Sequence, residues 1–414
     1  MARILLLTPQ IPYPPHQGTT IRNFNIIRGV SSRHDLALLS YWSKENPDVD
    51  QAVRVLGEYC FNIQIKPQLP RSHLRRLFQL IFSATPDMAN RLRSKDFDDA
   101  IVQIMKAEKK KNGRPFDIIQ IEGIEMASAV PIIRETESRT KIIFDNHNAE
   151  SSLQERAYET DRSRPRRWPL AAYSFIQTRR LKKYEKWACE SADHVVAVSE
   201  KDLHNIKQLA PHIRASVIPN SIDVEEYMDM ATRSTIKFDL VFIGKMDYRP
   251  NVDAVLWFAE KVWPEIYSHR SETTWAVVGK NPHSRLDALR NLSGVTVTGK
   301  VDSIYPYLAG ASVVILPFRI GSGTRLKFIE AMASGKATVS TSLGAEGFDV
   351  NSGDEVIIAD EPRPFIEAII SLIRDPERRI QLGQNAQAFA RGYDYRLVNK
   401  KFDAIYDELI ITQQ

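Results

Sequence analysis

The residues best suited to chemistry lie in PFRIGSGTRLKFIEAMASG, residues 317–335. An apolar run stops at a Gly-Ser-Gly turn and is followed by Thr324, Arg325, Leu326 and Lys327, then by Glu330 inside a helical pattern. Gly321 and Gly323 permit positive φ and close approach of a ligand to the backbone, with Ser322 between them. A helix starting near Gly323 would offer unpaired N–H groups and a partial positive charge, and the side chains of Arg325 and Lys327 add full charges. Such an end suits a dense anion, a diphosphate above all. Glu330, about two turns further along, would reach past the phosphates, where a carboxylate can accept the hydroxyl protons of a ribose. The plainer alternative is a tight turn followed by a solvated helix surface, and the turn by itself leaves both open. A second strand-end loop, FIGKMDYRPNVDAV, places Gly244 and Lys245 where a second cation would serve the same anion, with Asn251 as the N-cap of the following helix.

In the first half, TPQIPYPPHQGTTIRN sets Gly18 on the loop after the opening strand. The run IIFDNHNAE ends another strand with Asp145, His147 and Asn148. His147 there is either structural or a group facing a ligand crevice. Asp48-Val49-Asp50 superficially resembles a metal-binding pair, but behind Pro47 the two carboxylates read as helix-start residues. No spacing among the nine histidines makes a ligand set, so neither metal nor cofactor is expected.

These loops need strands beneath them. Short β-branched runs at Arg3–Pro9, Asp35–Trp42, Asn62–Pro67, Phe116–Glu122, Lys141–Asn146, His194–Ser199 and Ser216–Pro219 alternate with helical patterns. A second series follows at Phe238–Lys245, Thr274–Gly279, Val295–Gly299, Ser312–Phe318, Ala337–Thr341 and Glu355–Ala359, with a long helix over Val252–His269. Strands apolar on both faces and separated by helices predict an α/β protein with parallel sheets covered on both sides. Two series in 414 residues predict two doubly wound, Rossmann-like domains facing across a cleft, residues 1–215 and 216–392, with a final helix 393–414 packing back on the first. A composition of 43% hydrophobic and 26% charged residues fits a globular chain. A net charge of +5 does not by itself imply nucleic acid. Cys60 and Cys189 fit a reducing cytosol better than a disulfide framework. The opening MARILLLTPQ reads as a strand rather than a signal peptide, and no run approaches the length of a membrane span.

Seven segments in order, TPQIPYPPHQGTTIRNFNIIRGV, DNHNAE, ADHVVAVSEKD, VIPNSID, VFIGKMDYRPNVDAV, GVTVTGKV and GTRLKFIEAMASGKATVSTSLGAEG, carry a resemblance over nearly the whole chain. The chain resembles the family 4 (group 1) glycosyltransferases of the GT-B fold, and within them the bacterial sugar transferases of exopolysaccharide export systems. The resemblance implies a nucleotide-diphosphate sugar held by the second domain, a glycan or lipid-linked acceptor at the first, retention of anomeric configuration, and no metal. It implies that Glu330 holds the ribose as the second Glu of the family's Glu-x7-Glu motif, and that the amides near Leu326 and Lys327 hold the diphosphate. Lys245 stands where the family has an Arg, Gly18 matches its glycine loop, and His147, with Asn148 on the acceptor side, its strand-end histidine. Two departures stand out. The first motif Glu falls on Ser322, which leaves the sugar open, and the second cation of the first phosphate loop falls near Pro250, so that Arg325 and Lys327 would supply the charge. A phosphorylase on the same scaffold and a non-catalytic sugar-nucleotide-binding module are the alternatives.

Residues 156–186 carry ten Arg and Lys against three Asp and Glu, a local net of +7, interleaved with Trp168, Leu170, Tyr173, Phe175 and Ile176. The segment 70–82, PRSHLRRLFQLIF, is similar in kind. One reading is a patch for an anionic membrane surface on the inner face of the plasma membrane. The other is a solvated helix whose apolar face packs on its own domain. No nucleic-acid module accompanies the cations.

Overall fold

A computed structural model describes residues 1–42, 48–162, 168–230, 236–321 and 323–411. The chain forms two compact units, residues 1–219 with 396–414, and residues 220–395. The first is built on seven parallel strands: β1 (Arg3–Thr8), β2 (Asp35–Trp42), β3 (Cys60–Pro67), β4 (Ile118–Glu122), β5 (Lys141–Asn146), β6 (His194–Ala197) and β7 (Ala215–Val217). Their order is β3-β2-β1-β4-β5-β6-β7. Alternation along β1 feeds two cores. Leu5 and Leu7 join Ile119, Ile121 and Phe144 on one face of the sheet. Ile4 and Leu6 join Ile118 and Ile143 on the other, where the C-terminal helix Lys400–Ile411 adds Phe402, Tyr406 and Leu409. The division at 215/216 put the strand near Ser216 in the second domain. Instead β7 pairs with β6, Val195 to Ala215 and Ala197 to Val217, and so closes the first sheet.

The second unit carries six parallel strands: β8 (Phe238–Ile243), β9 (Trp275–Val278), β10 (Val295–Gly299), β11 (Ala311–Leu316), β12 (Ala337–Ser340) and β13 (Ile357–Ile358), in the order β10-β9-β8-β11-β12-β13. Each of the thirteen expected strands has its counterpart. The long helix expected over Val252–His269 is two, Arg249–Lys261 and Trp263–His269, because Pro264 cannot donate into a continuing helix.

In both sheets the order reverses between neighbouring central strands, β1 and β4 in one and β8 and β11 in the other. Chain leaving two such strands turns to opposite faces and opens a crevice beyond their carboxyl ends. Gly244 follows β8 and Gly321 follows β11, so topology alone brings the two glycine loops of the second unit to one reversal point.

Candidate functional site

In the second unit the turn after β11 holds Gly321 at φ 110° and Gly323 at φ 80°, the region a side chain opposes. Ser322 lies outside the described residues. The helix starts later than expected. It runs Leu326–Ala333 with Arg325 as N-cap, so Leu326 and Lys327 are its first two residues, and its first bond runs from Phe328 N to Arg325 O (2.9 Å). The amides at Leu326 and Lys327 thus precede the helical ladder, as an anion cradle requires. Gly335, at φ 67°, ends the element.

Arg325 does not add its charge to that cradle as expected. Its guanidinium lies 4.2 Å over the Phe318 ring and donates to Leu343 O (3.1 Å) and Ile320 O (3.3 Å), which ties the turn to itself. Lys327 turns toward the other loop: a methyl placed on Gly244 would lie 2.9 Å from its Cε and 2.6 Å from Asn251 Nδ2. Asn251 is not an N-cap, a place taken by Tyr248. It is buried in the first turn and donates from Nδ2 to Lys245 O (2.8 Å), which fixes the glycine loop from below. Lys245 is nearly half exposed, with Nζ 3.5 Å from Asp247 Oδ2. A methyl on Gly321 would lie 3.4 Å from Pro250, so the two loops meet at both ends.

Glu330 is 8% exposed. Burial raises its carboxyl pKa, opposed by the nearby Lys327 and by a hydrogen bond from Tyr227 Oη to Oε1 (2.9 Å). Desolvation likewise lowers the Lys327 amine, with Glu330 pulling it back up. Burial and the Glu330 charge push the Tyr227 phenol well up, so it stays protonated and remains a donor. Thr324 accepts from Asn220 Nδ2 (2.7 Å), linking the turn to the VIPNSID segment. The arrangement is a pair of glycine loops with a partly desolvated ammonium between them and a carboxylate about one turn behind, suited to a diphosphate with a polyol attached.

In the first unit His147 directly follows β5, with Nε2 2.9 Å from Oε2 of Glu122, the last residue of β4. Glu122 Oε1 accepts from Gln120 Nε2 (2.6 Å), and Gln120 Oε1 accepts from Tyr406 Oη (2.6 Å). Asp145, fully buried, receives Arg22 at both oxygens (2.8 and 2.9 Å). Burial works against the charged imidazole, yet the Glu122 hydrogen bond and the Asp145 charge outweigh it and raise the His147 pKa. Asn148 Nδ2 donates to Glu150 Oε1 (3.1 Å), and burial beside Glu125 pushes Glu150 up to about 7. Gly18 is the exposed first residue of helix Gly18–Val30, whose start is closed by a Gln17–Thr20 capping box, and not a loop glycine.

Glu122, Asp145 and His147 have ligand atoms within 4.8 Å of one another, the spacing a metal ion would need. Arg22 already neutralises Asp145 through both oxygens, and His147 is hydrogen-bonded to Glu122, so the cluster is internally satisfied as an ion-pair network. Asp48, the other metal suspect, is a helix N-cap accepting from Gln51 N (2.9 Å). Sequence reading passed over Arg22, Glu122 and Tyr227. A carboxylate closing each of two buried strands, Glu122 and Asp145, was a visible demand for a cation. Nothing local marked Tyr227, whose partner is remote in the chain.

Solved structures share this architecture from end to end. Sucrose-phosphate synthase from Thermosynechococcus elongatus superposes with a TM-score of 0.69 at 14% identity, over 100% of both chains. Anabaena HepE in complex with UDP-glucose does so with a TM-score of 0.64 at 15% identity, over 99% of this chain and 100% of that one. The two Rossmann-like domains are those of the GT-B fold. Residues 17–226, just over half of the chain, match the model of Glycosyltransferase Family 4, and residues 237–375 match that of Glycosyl transferases group 1. The chain belongs to Glycosyltransferase Family 4. An uncharacterized 44.6 kDa protein in the cps region of Klebsiella pneumoniae is 22% identical over 99% of this chain and 100% of its own length. Phosphatidyl-myo-inositol mannosyltransferase of Mycolicibacterium smegmatis is 24% identical over 46% of this chain and 51% of its own.

Proposed function

We propose that the protein is a retaining glycosyltransferase that moves a sugar from a nucleotide-diphosphate donor to a glycan or lipid-linked acceptor in bacterial cell-surface polysaccharide synthesis. The observation that carries this is the Lys327–Glu330 arrangement at the β8/β11 reversal, a cation and a carboxylate set for two chemically different halves of one ligand. Glu330 accepts the ribose hydroxyls. The amides of Leu326 and Lys327, the Lys327 ammonium and Lys245 receive the diphosphate, with Gly321, Gly323 and Thr324 shaping the turn. His147, oriented by Glu122, is the catalytic residue of this reading, and Asn148 serves the acceptor.

Bond breaking at the anomeric carbon leaves a cation-like sugar while charge grows on the departing phosphate. Preorganised donors at that phosphate stabilise the transition state more than the ground state. The acceptor oxygen attacks on the face the phosphate leaves, and its proton passes to the leaving phosphate oxygen, which gives retention. Protein cations supply the positive charge, so transfer proceeds without an added metal. The two free, buried cysteines Cys60 and Cys189 are compatible with a reducing cytoplasm. A panel of nucleotide sugars, followed by release of nucleoside diphosphate with and without chelator, tests the reading. Turnover that survives chelator and gives product of the donor's anomeric configuration supports it. Inverted product, or cleavage that requires inorganic phosphate, contradicts it.

A further inference from the structure

We propose that the first unit carries a docking surface for the anionic face of a lipid bilayer, centred on helix His73–Phe82 and extended by the first half of helix Trp168–Ser191. The sequence left open whether the apolar residues in these segments pack inward, and the structure answers for the described ones. Leu74, Phe78, Ile81 and Phe82 recur at helical spacing on one face and are 80%, 62%, 61% and 71% exposed. The other face is already used: the carbonyls of Gln79 and Leu80 accept from Arg180 on helix Trp168–Ser191 (3.4 and 2.7 Å), and the two helices line one cavity. In the first half of that second helix the buried positions are small or polar, Ala171, Ser174, Gln177 and Thr178, and Leu181 further along joins the core. Its large apolar side chains, Trp168, Leu170, Phe175 and Ile176, point elsewhere and stay exposed.

Charge selects the occupant. Residues 71–82 hold three Arg and no acid, and residues 168–184 hold four Arg and Lys and no acid. Asp87 takes both Arg71 (2.7 Å) and the half-exposed Arg76 (3.6 Å), while Arg179 lies 4.4 Å over the Phe175 ring and Lys183 is exposed. Arg164, Arg166 and Arg167 lie outside the described residues. Large apolar side chains rimmed by cations, with their own core contacts made by the opposite face, match a bilayer interface, where rings enter the acyl boundary and cations meet phosphate. A protein interface would deplete lysine and balance the charge. Among the described residues no helix is long and apolar enough to cross a membrane, so attachment here would be lateral.

Co-sedimentation of the full chain with vesicles tests this without nucleotide, independently of the donor reading. Vesicles of phosphatidylcholine containing roughly 30% phosphatidylglycerol should bind the protein about tenfold or more tighter than phosphatidylcholine alone, and salt should erase the difference. The double variant Phe78→Ser, Phe82→Ser should lose about tenfold in partitioning, and Arg179→Gln with Lys183→Gln should flatten the salt dependence. Both variants change exposed side chains, and circular dichroism should match the wild type. Equal binding to neutral and anionic vesicles, wild-type binding by the serine variant, or self-association through this face with no vesicle binding each overturns the proposal.

Discussion

Replacing Tyr227 by Phe removes one oxygen from the molecule and leaves the ring packed edge-on against Tyr305, 5.0 Å between centroids. What is lost is the hydrogen bond to Glu330 Oε1. A hydrogen bond to a charged group contributes about 1.5–3 kcal/mol. Tyr227 and Lys327 are the two influences that offset the burial of Glu330. Removing one of them pushes the carboxyl further up. A ribose donates its hydroxyl protons, so it needs the ionised carboxylate. Affinity for a nucleoside diphosphate therefore falls as pH drops through the Glu330 midpoint, and the fall begins at higher pH in the variant. Below both midpoints the variant should bind about tenfold or more weakly than wild type, and above both the two should converge. Isothermal titration with UDP, GDP and ADP between about pH 5 and 9, each beside its 2′-deoxy counterpart, reads this directly. An unchanged pH profile in Tyr227→Phe, with Glu330→Ala still deficient, would refute the role of the phenol while leaving that of the carboxylate. A uniform loss at every pH would mean that the variant merely disturbs packing.

Three other perturbations probe the remaining contacts. Arg22→Met strands the fully buried Asp145 without its cation and should cost about 3–5 kcal/mol in denaturant unfolding. Glu122→Gln should lower the His147 titration midpoint, followed by NMR of the ring protons, because the hydrogen bond that opposes desolvation loses its charge, and an unmoved midpoint would refute that role. Gly244→Ala should destabilise the second unit by about 1–3 kcal/mol and weaken diphosphate binding, since the new methyl meets Asn251 Nδ2 and Lys327 Cε. Wild-type unfolding and affinity in that variant would show that the two loops do not depend on each other.

Much of the architecture was legible because it rests on local pattern. β-Branched runs of strand length, broken by helical periods, leave little choice but parallel sheets. Gly321 and Gly323 likewise declared their backbone. Side-chain destinations were less readable. Arg325 and Lys327 look equivalent in the sequence, yet the stretched N-cap geometry of Arg325 sends its guanidinium back over Phe318, while Lys327 is carried to Gly244. Asn251 looked like a cap because its side chain does bond locally, but it bonds backward to Lys245 O from inside the helix. The strand at Ser216 was read with the first series, where β7 does pair with β6, yet the boundary at 215/216 cut through it, because a three-residue strand followed by a loop carries no signal of where one domain stops. The relay from Tyr406 through Gln120 and Glu122 to His147 joins the chain's end to its middle, and no window of sequence spans it.

The central claim is that the second unit grips a nucleoside diphosphate through Glu330 at the sugar ring and Lys327 at the phosphates. Its most direct measurement is a calorimetric comparison of the wild type with Glu330→Ala and Lys327→Met, using UDP, GDP and ADP as probes. Whichever probe binds the wild type should lose at least about tenfold in affinity with either substitution, and only the Glu330 variant should stop distinguishing ribo- from deoxyribonucleotide. Wild-type affinity in both variants, with that discrimination intact, would contradict it.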